Sequence, residues 1–362
     1  MSGPADKPVL FVTNHVPPDR VGAFQALHAA QDIELALFGG RLHHATAGVE
    51  DPGVPFRRIR QREAHALAAS GRHRAVIASS AGRVAVPATY SGARRAGIPF
   101  VYWTGIWGQI RTPAHLAAIP LTRAIERHAD AVVTYGPHVS AHVAAHGAHN
   151  IHVAPQAVDN AFWAAAADPR RARASAGDPE FLALYAGRAA PAGKGLDVLL
   201  DAWRRTGLAA PDAALVLAGV EPGELPNVPG MVAAGRLDPA EMRNFYAAAD
   251  VLVVPSIPTR DFLEPWALVA NEAMNQRTPI IATEAVGAAA GGLVRDGANG
   301  LVVPAGDAGA LAHAIERLRA DASLRARLAA EGARDVANYD YSAWVQGFSQ
   351  ALATVSADRG AC

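Results

Sequence analysis

The feature that most constrains the fold is an alternation of short apolar runs with longer helical patterns, which occurs twice along the chain. Six runs between residues 7 and 155 are mostly apolar rather than alternating, as strands of a parallel sheet covered on both faces are. These runs are KPVLFVT, IELALF, RAVIAS, IPFVYW, ADAVVTY and IHVAP. Alanine-rich segments of helical length separate them, so the pattern predicts βαβ units in a doubly wound α/β sheet.

The same alternation begins again after a break at residues 158–179, which is rich in Ala, Arg, Asp and Pro and has no clear period. The second series of runs is FLALYAG, AALVLAG, MVAAG, ADVLVVPS, TPIIAT and GLVVPA. A chain of 362 residues also exceeds the ~250–300 at which one core stops growing. We therefore expect a domain at 1–157, a linker at 158–179, a second domain at 180–340, and a C-terminal helix at 341–362 that could pack back on the first domain.

Composition argues against several classes of protein. The single cysteine, Cys362, allows neither an internal disulfide nor a CxxC metal site. The longest apolar runs are shorter than the ~20 residues of a membrane span, and the start MSGPADKPVLFV does not have a basic segment before an apolar one. The sequence therefore predicts a cytoplasmic protein with no transmembrane segment. Basic runs interleaved with aromatic residues are absent from the sequence, so nucleic acid is not an expected partner.

Charge is distributed unevenly between the two halves of the chain. The first 155 residues contain 15 Lys and Arg against 9 Asp and Glu, whereas the remainder contains 18 against 24. A basic first half suits an anionic acceptor, a peripheral contact with a membrane surface, or docking onto the acidic second half. The basic run at residues 57–62 could recognise an anionic acceptor or a lipid surface, or could be a solvated strand and loop.

The segment LYAGRAAPAGKGLDVLLDAW places two cations around a short loop between a strand and a helix. Gly187 permits a tight exit from the strand, Arg188 and Lys194 lie on either side of the loop, and Gly195 opens the helix. A guanidinium, an ammonium and the amides of a helix N-terminus together satisfy the oxygens of a diphosphate. A strand-end turn with solvated charges is the alternative. The loop is neither a Walker A motif nor a GxGxxG, so ATPase and dinucleotide-binding functions lose their main support.

Two carboxylates, Glu264 and Glu272, stand in the otherwise apolar segment FLEPWALVANEAMNQ. Because Pro265 favours a first helical turn, Glu264 is predicted at the N-cap, with Glu272 roughly 12 Å further along the same helix. Carboxylates so far apart cannot flank one scissile bond. They could hold the two ends of a nucleotide sugar, with backbone amides near Trp266 and Leu268 reaching the phosphates between. A simple N-cap and a helix-face charge are the alternatives.

Four segments, in this order, resemble the donor domain of the retaining, family-4 type glycosyltransferases with the GT-B fold. They are GRAAPAGKG, EPWALVANEAMN, AVGAAAGG and RDGANGLVVPAGD, and the similarity covers roughly residues 180–340. The resemblance implies two doubly wound Rossmann-like domains that face each other across a cleft. The first would bind an acceptor and the second a nucleotide-sugar donor.

The resemblance also implies a role for each matching residue. Arg188 and Lys194 would hold the diphosphate, Glu264 would contact the transferred sugar, and Glu272 would bind the ribose. Arg188, Lys194 and Glu264 would then form the catalytic group of a retaining, hexosyltransferase-like enzyme that needs no cofactor and no metal. The donor-binding positions implied are Gly187, Gly195, Gly235, Arg236, Leu237, Trp266, Ala267, Leu268 and Glu272. The acceptor is left open as a glycan, a lipid or a small metabolite; the alternative function is a catalytically silent nucleotide-sugar-binding protein or a partner subunit.

The sequence departs from the family pattern on both sides. The glycine of the family's EPFGL segment is Ala267 here, and the histidine that often follows the strand IPFVYW is replaced by Thr104 and Gly105. His15, in the loop after the first strand, is the first substitute on the acceptor side. Trp103 could stack on a sugar or pack in the core, as could its neighbours Tyr102 and Trp107.

Three histidines, His138, His142 and His146, recur at four-residue spacing along one predicted helix. Such a row can bind zinc, but neither a paired acid nor a cysteine accompanies it in the sequence. No metal site is predicted.

Overall fold

The computed structural model describes residues 7–39, 48–108, 112–189, 192–224 and 228–357. The chain divides into two compact units, and each contains one parallel sheet. Unit 1 comprises residues 1–157 and 340–362, and unit 2 comprises residues 158–339. Within the described ranges, none of the helices combines the length and the apolar character that a membrane span requires.

Among the described residues, the sheet of unit 1 has seven strands. They are β1 (Val9–Thr13), β2 (Ile33–Leu37), β3 (Phe56–Arg58), β4 (Ala75–Ser79), β5 (Phe100–Thr104), β6 (Ala131–Thr134) and β7 (Ile151–Val153). They are all parallel and lie in the order β3-β2-β1-β4-β5-β6-β7. Every residue of β1, β4, β5 and β6 is buried, as strands that are apolar throughout predict.

Helices cover both faces of this sheet. They are α1 (Val21–Gln31), α2 (Ala64–Ala68), α3 (Ala85–Ala96), α4 (Pro113–His128) and α5 (Pro137–Ala145). Successive residues of β1 supply the two cores, since Leu10 packs with α2 to α5 and Phe11 packs with α1. The helix ends follow from local sequence: Thr112 caps α4 ahead of Pro113, and Gly97 ends α3 with a φ of +63° that favours glycine.

The basic run at residues 57–62 contains part of β3, the edge strand. Arg57 donates to Glu34 on the neighbouring strand through Nε at 2.6 Å, and Arg58 and Arg60 are exposed. A short, charged edge strand discourages pairing with another chain. The run therefore fits the solvated strand and loop among the alternatives.

The sheet of unit 2 has six described strands, again all parallel. They are β8 (Phe181–Ala186), β9 (Ala213–Ala218), β10 (Met231–Gly235), β11 (Val251–Val254), β12 (Ile280–Thr283) and β13 (Gly300–Val303). Their order is β10-β9-β8-β11-β12-β13. After β8 the chain continues to one side, and it later returns to pair β11 on the other side. The strand order thus reverses between β8 and β11, where open α/β sheets bind ligands.

Helices pack on the sheet of unit 2 and fill much of the expected linker. They are α6 (Asn160–Ala164), α7 (Pro169–Ser175), α8 (Leu196–Thr206), α9 (Pro239–Ala248), α10 (Val269–Asn275), α11 (Gly287–Ala290), α12 (Ala308–Ala320) and α13 (Ala322–Val336). Residues 158–179, assigned from the sequence to a linker, form α6 and α7 and belong to unit 2. Arg173 of α7 donates to the Ala248 carbonyl at 2.7 Å and pairs with Asp250 at 3.1 Å. These contacts hold the segment on the sheet.

The last helix, α14 (Tyr341–Ala357), completes the core of unit 1. Trp344 and Phe348 are fully buried. The Phe348 ring lies 5.7 Å, between centroids, from both Phe11 and Trp103, and the Trp344 ring lies 5.5 Å from Phe24. Helix α14, which follows unit 2 in the sequence, therefore covers one side of the core of unit 1.

Replacing Phe348 with alanine should lower the free energy of unfolding by about 3–5 kcal/mol, because the change leaves a cavity among aromatic rings. Gln350→Ala, at an exposed position of the same helix, should leave it within about 0.5 kcal/mol. Urea denaturation followed by circular dichroism measures both. Equal losses in the two variants would show that α14 does not seal this core.

Candidate functional site

The strand order of unit 2 brings two loops together at the carboxyl ends of β8 and β11. The loop after β8 contains Gly187, Arg188 and Lys194, and the segment after β11 contains Ser256 and Glu264. Because the strands are adjacent and parallel, both segments leave the sheet at the same edge.

Two glycines of the loop after β8 allow its backbone to pack closely against the segment after β11. Gly195 has a φ of +67°, and a Cβ at this position would overlap the carbonyl oxygen of Pro255. A Cβ at Gly193 would overlap the ring of Phe262. The amide of Ile257 donates to the Gly193 carbonyl at 2.9 Å. Residues with side chains could not bring the backbone so close, so the two glycines determine where Lys194 stands.

An ion pair joins the segments through side chains. Lys194 Nζ donates to Glu264 Oε2 at 2.5 Å, and Ser256 Oγ donates to the same oxygen at 3.1 Å. The Glu264 side chain is 8% exposed and that of Lys194 is 26% exposed. The ammonium also lies 5.5 Å from the centroid of the Phe262 ring. Lys194 is thus a positioned cation with part of its surface accessible to an anion.

Tyr185 is a member of this site that the sequence analysis missed. Its hydroxyl donates to the Arg188 carbonyl at 2.8 Å, and a Cβ at Gly187 would lie 2.7 Å from that hydroxyl. Burial raises the pKa of Tyr185 and the nearby charge of Glu264 raises it further, whereas the Arg188 guanidinium lowers it. Tyr185 therefore remains a neutral donor that fixes the start of the loop. The available signal was the hydroxyl-bearing Tyr185 near the end of an otherwise wholly apolar strand.

The prediction that Glu264 caps a helix is wrong. Helix α10 begins at Val269 with Leu268 at its N-cap, and Glu264 forms an isolated bridge with Val286. Ala267 has a φ of +78°, a left-handed conformation that helices do not continue through. Glu264 therefore lies outside the helix of Glu272, and the 12 Å spacing along one helix does not apply.

Glu272 and Trp266 are held by separate hydrogen bonds. The buried Tyr246 hydroxyl donates to Glu272 Oε2 at 2.6 Å. Burial raises the pKa of Tyr246 well above its usual value, and the charge of Glu272 adds to this effect, so the phenol stays a donor. The Trp266 side chain is 3% exposed and donates through Nε1 to Asn271 at 2.8 Å. Its indole therefore fixes the chain before α10 and offers little surface to a ligand.

The predicted base-side residues lie at the end of β10, at the same edge of the sheet. Gly235 has a φ of +64° and its amide donates to the Val220 carbonyl at 2.9 Å. The Arg236 amide donates to Glu221 Oε1 at 3.1 Å, and Leu237 follows, partly buried. Two strand spacings separate β10 from β8, roughly 10 Å. The turn thus ends a strand that lies two positions from β8, the strand that leads into the Lys194 loop.

The acceptor-side residues predicted in unit 1 lie at the carboxyl edge of its own sheet. His15 follows β1 and is partly buried beside Gly48, where a Cβ would lie 2.8 Å from that of His15. The Thr104 hydroxyl is buried and accepts from the Ile106 amide at 3.1 Å. A Cβ at Gly105 would overlap the ring of Tyr135. Gly105, at the position that often holds a histidine in the family, therefore allows the ring of Tyr135 to pack against the backbone.

Trp103 packs in the core of unit 1, which favours core packing over stacking on a sugar as the role of its ring. Its side chain is 8% exposed and its ring lies 5.7 Å from Phe11, 5.7 Å from Tyr135 and 5.9 Å from Trp344. The neighbouring Tyr102 is 3% exposed. Trp103 is not available to stack on a sugar.

The three spaced histidines do not converge on one point. The rings of His142 and His146 lie 4.5 Å apart, whereas His138 packs against Trp107 at 5.1 Å. His146 Nδ1 lies 2.7 Å from the buried carboxylate of Glu126. Burial raises the pKa of Glu126 while His146 opposes the shift. Within the described ranges, no group of three His, Cys, Asp or Glu side chains is placed to hold a metal ion.

A match to a known family covers most of unit 2. Residues 180–321 match the family described as "Glycosyl transferases group 1". This range contains the Lys194 loop, Glu264 and Glu272, and it confirms the resemblance inferred from the sequence motifs for this part of the chain.

Curated relatives align with part of the chain. It is 44% identical over 92 residues to the lipopolysaccharide core biosynthesis glycosyltransferase LpsE of Rhizobium meliloti, with 25% of each chain covered. It is 34% identical over 165 residues to a phosphatidyl-myo-inositol mannosyltransferase of Mycobacterium leprae, with 44% of this chain and 42% of the relative covered. The aligned segments thus span less than half the length of these relatives.

Solved structures share the fold over nearly the whole chain. HepE of Anabaena, in complex with UDP and glucose, is 20% identical with a TM-score of 0.74, covering 96% of this chain and 100% of that one. Sucrose-phosphate synthase of Thermosynechococcus elongatus is also 20% identical with a TM-score of 0.74, covering 97% and 100%. The predicted GT-B class, with two parallel α/β sheets, is confirmed.

Replacing Gly195 with alanine should destabilise unit 2 more than replacing Gly207, the glycine at the other end of α8. Both have left-handed φ angles, +67° and +65°, so each variant should lose about 1–2 kcal/mol from backbone strain. Nothing lies within 4 Å of a Cβ at Gly207, whereas one at Gly195 meets Pro255. The clash should cost a further ~1–3 kcal/mol.

Chemical denaturation of both variants measures this difference. If Gly195→Ala and Gly207→Ala lose the same stability, the close packing on Pro255 does not hold the loop.

Proposed function

Because residues 180–321 form a group 1 glycosyl transferase domain, we propose that the protein is a retaining glycosyltransferase. It moves a hexosyl group from a nucleoside diphosphate sugar to a hydroxyl group of an acceptor. The observation that supports this most strongly is the Lys194–Glu264 pair, which is fixed by glycines at the point where the strand order of unit 2 reverses.

The donor is assigned to the carboxyl edge of the sheet in unit 2. Lys194 and the exposed Arg188 are the cations for the diphosphate, next to the N-terminus of α8. Glu272 is the acceptor for ribose hydroxyls and Glu264 for hexose hydroxyls. The turn at residues 235–237 is assigned to the base. UDP is the first nucleotide to test, because HepE was crystallised with UDP and with UDP-glucose.

The chemistry follows from the placement of charge. As the bond between the anomeric carbon and the phosphate oxygen breaks, negative charge builds on the departing diphosphate. Lys194 and Arg188 stabilise that charge, and a positioned cation does so without reorganisation. The acceptor hydroxyl attacks the same face of the sugar and its proton passes to the departing phosphate oxygen. The products are a glycoside and a nucleoside diphosphate, and no protein nucleophile takes part.

The acceptor is assigned to unit 1, at the edge that holds His15, Thr104 and Gly105. Curated relatives are named for acceptors of different kinds, namely a lipopolysaccharide core, a phosphatidylinositol and an inositol phosphate. All of these present hydroxyl groups on a ring. We therefore propose a polyhydroxylated acceptor without choosing among glycan, lipid and small metabolite.

Lys194→Ala and Arg188→Ala should each lower turnover by about 10²-fold or more, since each removes a charge partner of the leaving diphosphate. Arg204→Ala, which removes an exposed cation further along α8, is the matched control and should keep the activity of the parent protein. Nucleotide release from UDP-sugars, with and without a mixture of polyol acceptors, measures turnover. Near-parental rates in both site variants would refute the assignment.

Glu272→Gln should weaken UDP binding by roughly 10- to 100-fold, the scale of a hydrogen bond to a charged group. It should leave the binding of inorganic pyrophosphate unchanged, because pyrophosphate has no ribose, whereas Lys194→Ala should weaken both. Thermal shifts titrated with each ligand give the constants. Glu316→Gln, exposed on α12, is the control. An equal effect of Glu272→Gln on the two ligands would contradict the ribose contact.

A further inference from the structure

Helix α4 of unit 1 exposes one continuous face that combines apolar and basic side chains. At 100° per residue its exposed positions fall within an arc of roughly 160°. They are Pro113, Leu116, Ala117, Pro120, Leu121, Arg123, Ala124, Arg127 and His128. Leu116 and Leu121 are 45% and 51% exposed, among the most exposed large apolar side chains of the described residues. Arg123, Arg127 and His128 follow in the second half of the helix.

A pocket opens at the basic half of this face. Its volume is about 310 Å³, and it lies between the end of α4 and the end of α5. Its lining residues are Pro120, Arg123, Ala124, Arg127, His128, Ala145 and His146. The Arg127 side chain runs along Gly147, where a Cβ would lie 3.0 Å from its Nε. This volume suits a group of phosphate size with its substituents.

Carboxylates do not neutralise this face. The only acidic residue of α4 is Glu126, which is 2% exposed, and its carboxylate lies 2.7 Å from Nδ1 of His146, a residue of the pocket lining. Asp130, just beyond the helix, pairs with Arg94 at 3.1 Å. The charged groups that the exposed face of α4 presents are therefore all basic, and an anion is the complementary partner.

We propose that this face of α4 docks on an anionic phospholipid surface. The arginines around the pocket bind lipid phosphates, while Leu116 and Leu121 enter the boundary between headgroups and acyl chains. Helices that lie flat in a membrane interface combine an apolar stripe with basic residues in this way. A soluble phosphate accounts for the arginines but leaves both leucines in water. The proposal concerns where the protein works, and it does not rest on the transfer reaction proposed above.

Sedimentation with lipid vesicles tests the proposal with the full-length chain. The protein should bind vesicles of phosphatidylcholine containing 30% phosphatidylglycerol and should bind pure phosphatidylcholine far more weakly. Arg123→Ser with Arg127→Ser should lower the partition coefficient about 25-fold, since each basic residue near an anionic surface contributes roughly fivefold. Leu116→Ser with Leu121→Ser should abolish the binding that remains when salt screens the charges.

The matched control is Arg171→Ser with Arg204→Ser, which removes the same charge from exposed positions of unit 2 and should bind like the parent. Thermal melting and UDP binding show that each variant is folded. The proposal is overturned if the parent does not sediment with anionic vesicles, or if the control weakens binding as much as the α4 variants do. Loss of binding in inorganic phosphate, but not in chloride of equal ionic strength, would instead identify a site for soluble phosphate.

Discussion

The close approach of Gly195 to the carbonyl group of Pro255 is the contact on which the arrangement of unit 2 depends. Strands β8 and β11 are paired over Ala183–Tyr185 and Val251–Val253, and the segments that follow them leave the ladder. Backbone contacts at Gly193 and Gly195 take over where the strand pairing ends. The ammonium of Lys194 therefore reaches Glu264 because the residues on either side of it, Gly193 and Gly195, have no Cβ atoms to hold the two segments apart. The main chain thus sets the geometry of this ion pair.

Most strands could be predicted from the sequence because they are buried on both faces. Twelve of the thirteen described strands correspond to the apolar runs, while a strand at β3 was only one of the alternatives for the basic run at residues 57–62. This strand, Phe56–Arg58, is only three residues long, contains two arginines and is partly exposed. Backbone pairing with β2 therefore defines it, and its sequence shows no pattern of buried residues. Helices α6 and α7 were missed for a related reason, since five and seven residues are too few to show a helical period.

The site was predictable where chemistry depends on local spacing and was not where it depends on distant contacts. The strand, loop and helix around Arg188 and Lys194 are local, and the structure shows them in that order. Glu264 was misplaced because Pro265 suggests a helix start, whereas the bridge to Val286, far along the chain, holds the segment extended. Trp103 lies in the core because α14 covers it, which no local pattern reveals. The tyrosines that orient Arg188 and Glu272 carry no motif.

The path of the chain imposes an order on its assembly. Unit 1 is left at residue 157 and resumed at residue 340, so unit 2 is an uninterrupted stretch inside it. Domains generally fold as units while the ribosome delivers them. The inner stretch has all its residues before Trp344 and Phe348 emerge to cover Phe11. The face of the unit 1 sheet that contains Phe11 is therefore covered only once the residues that follow unit 2 in the sequence are available.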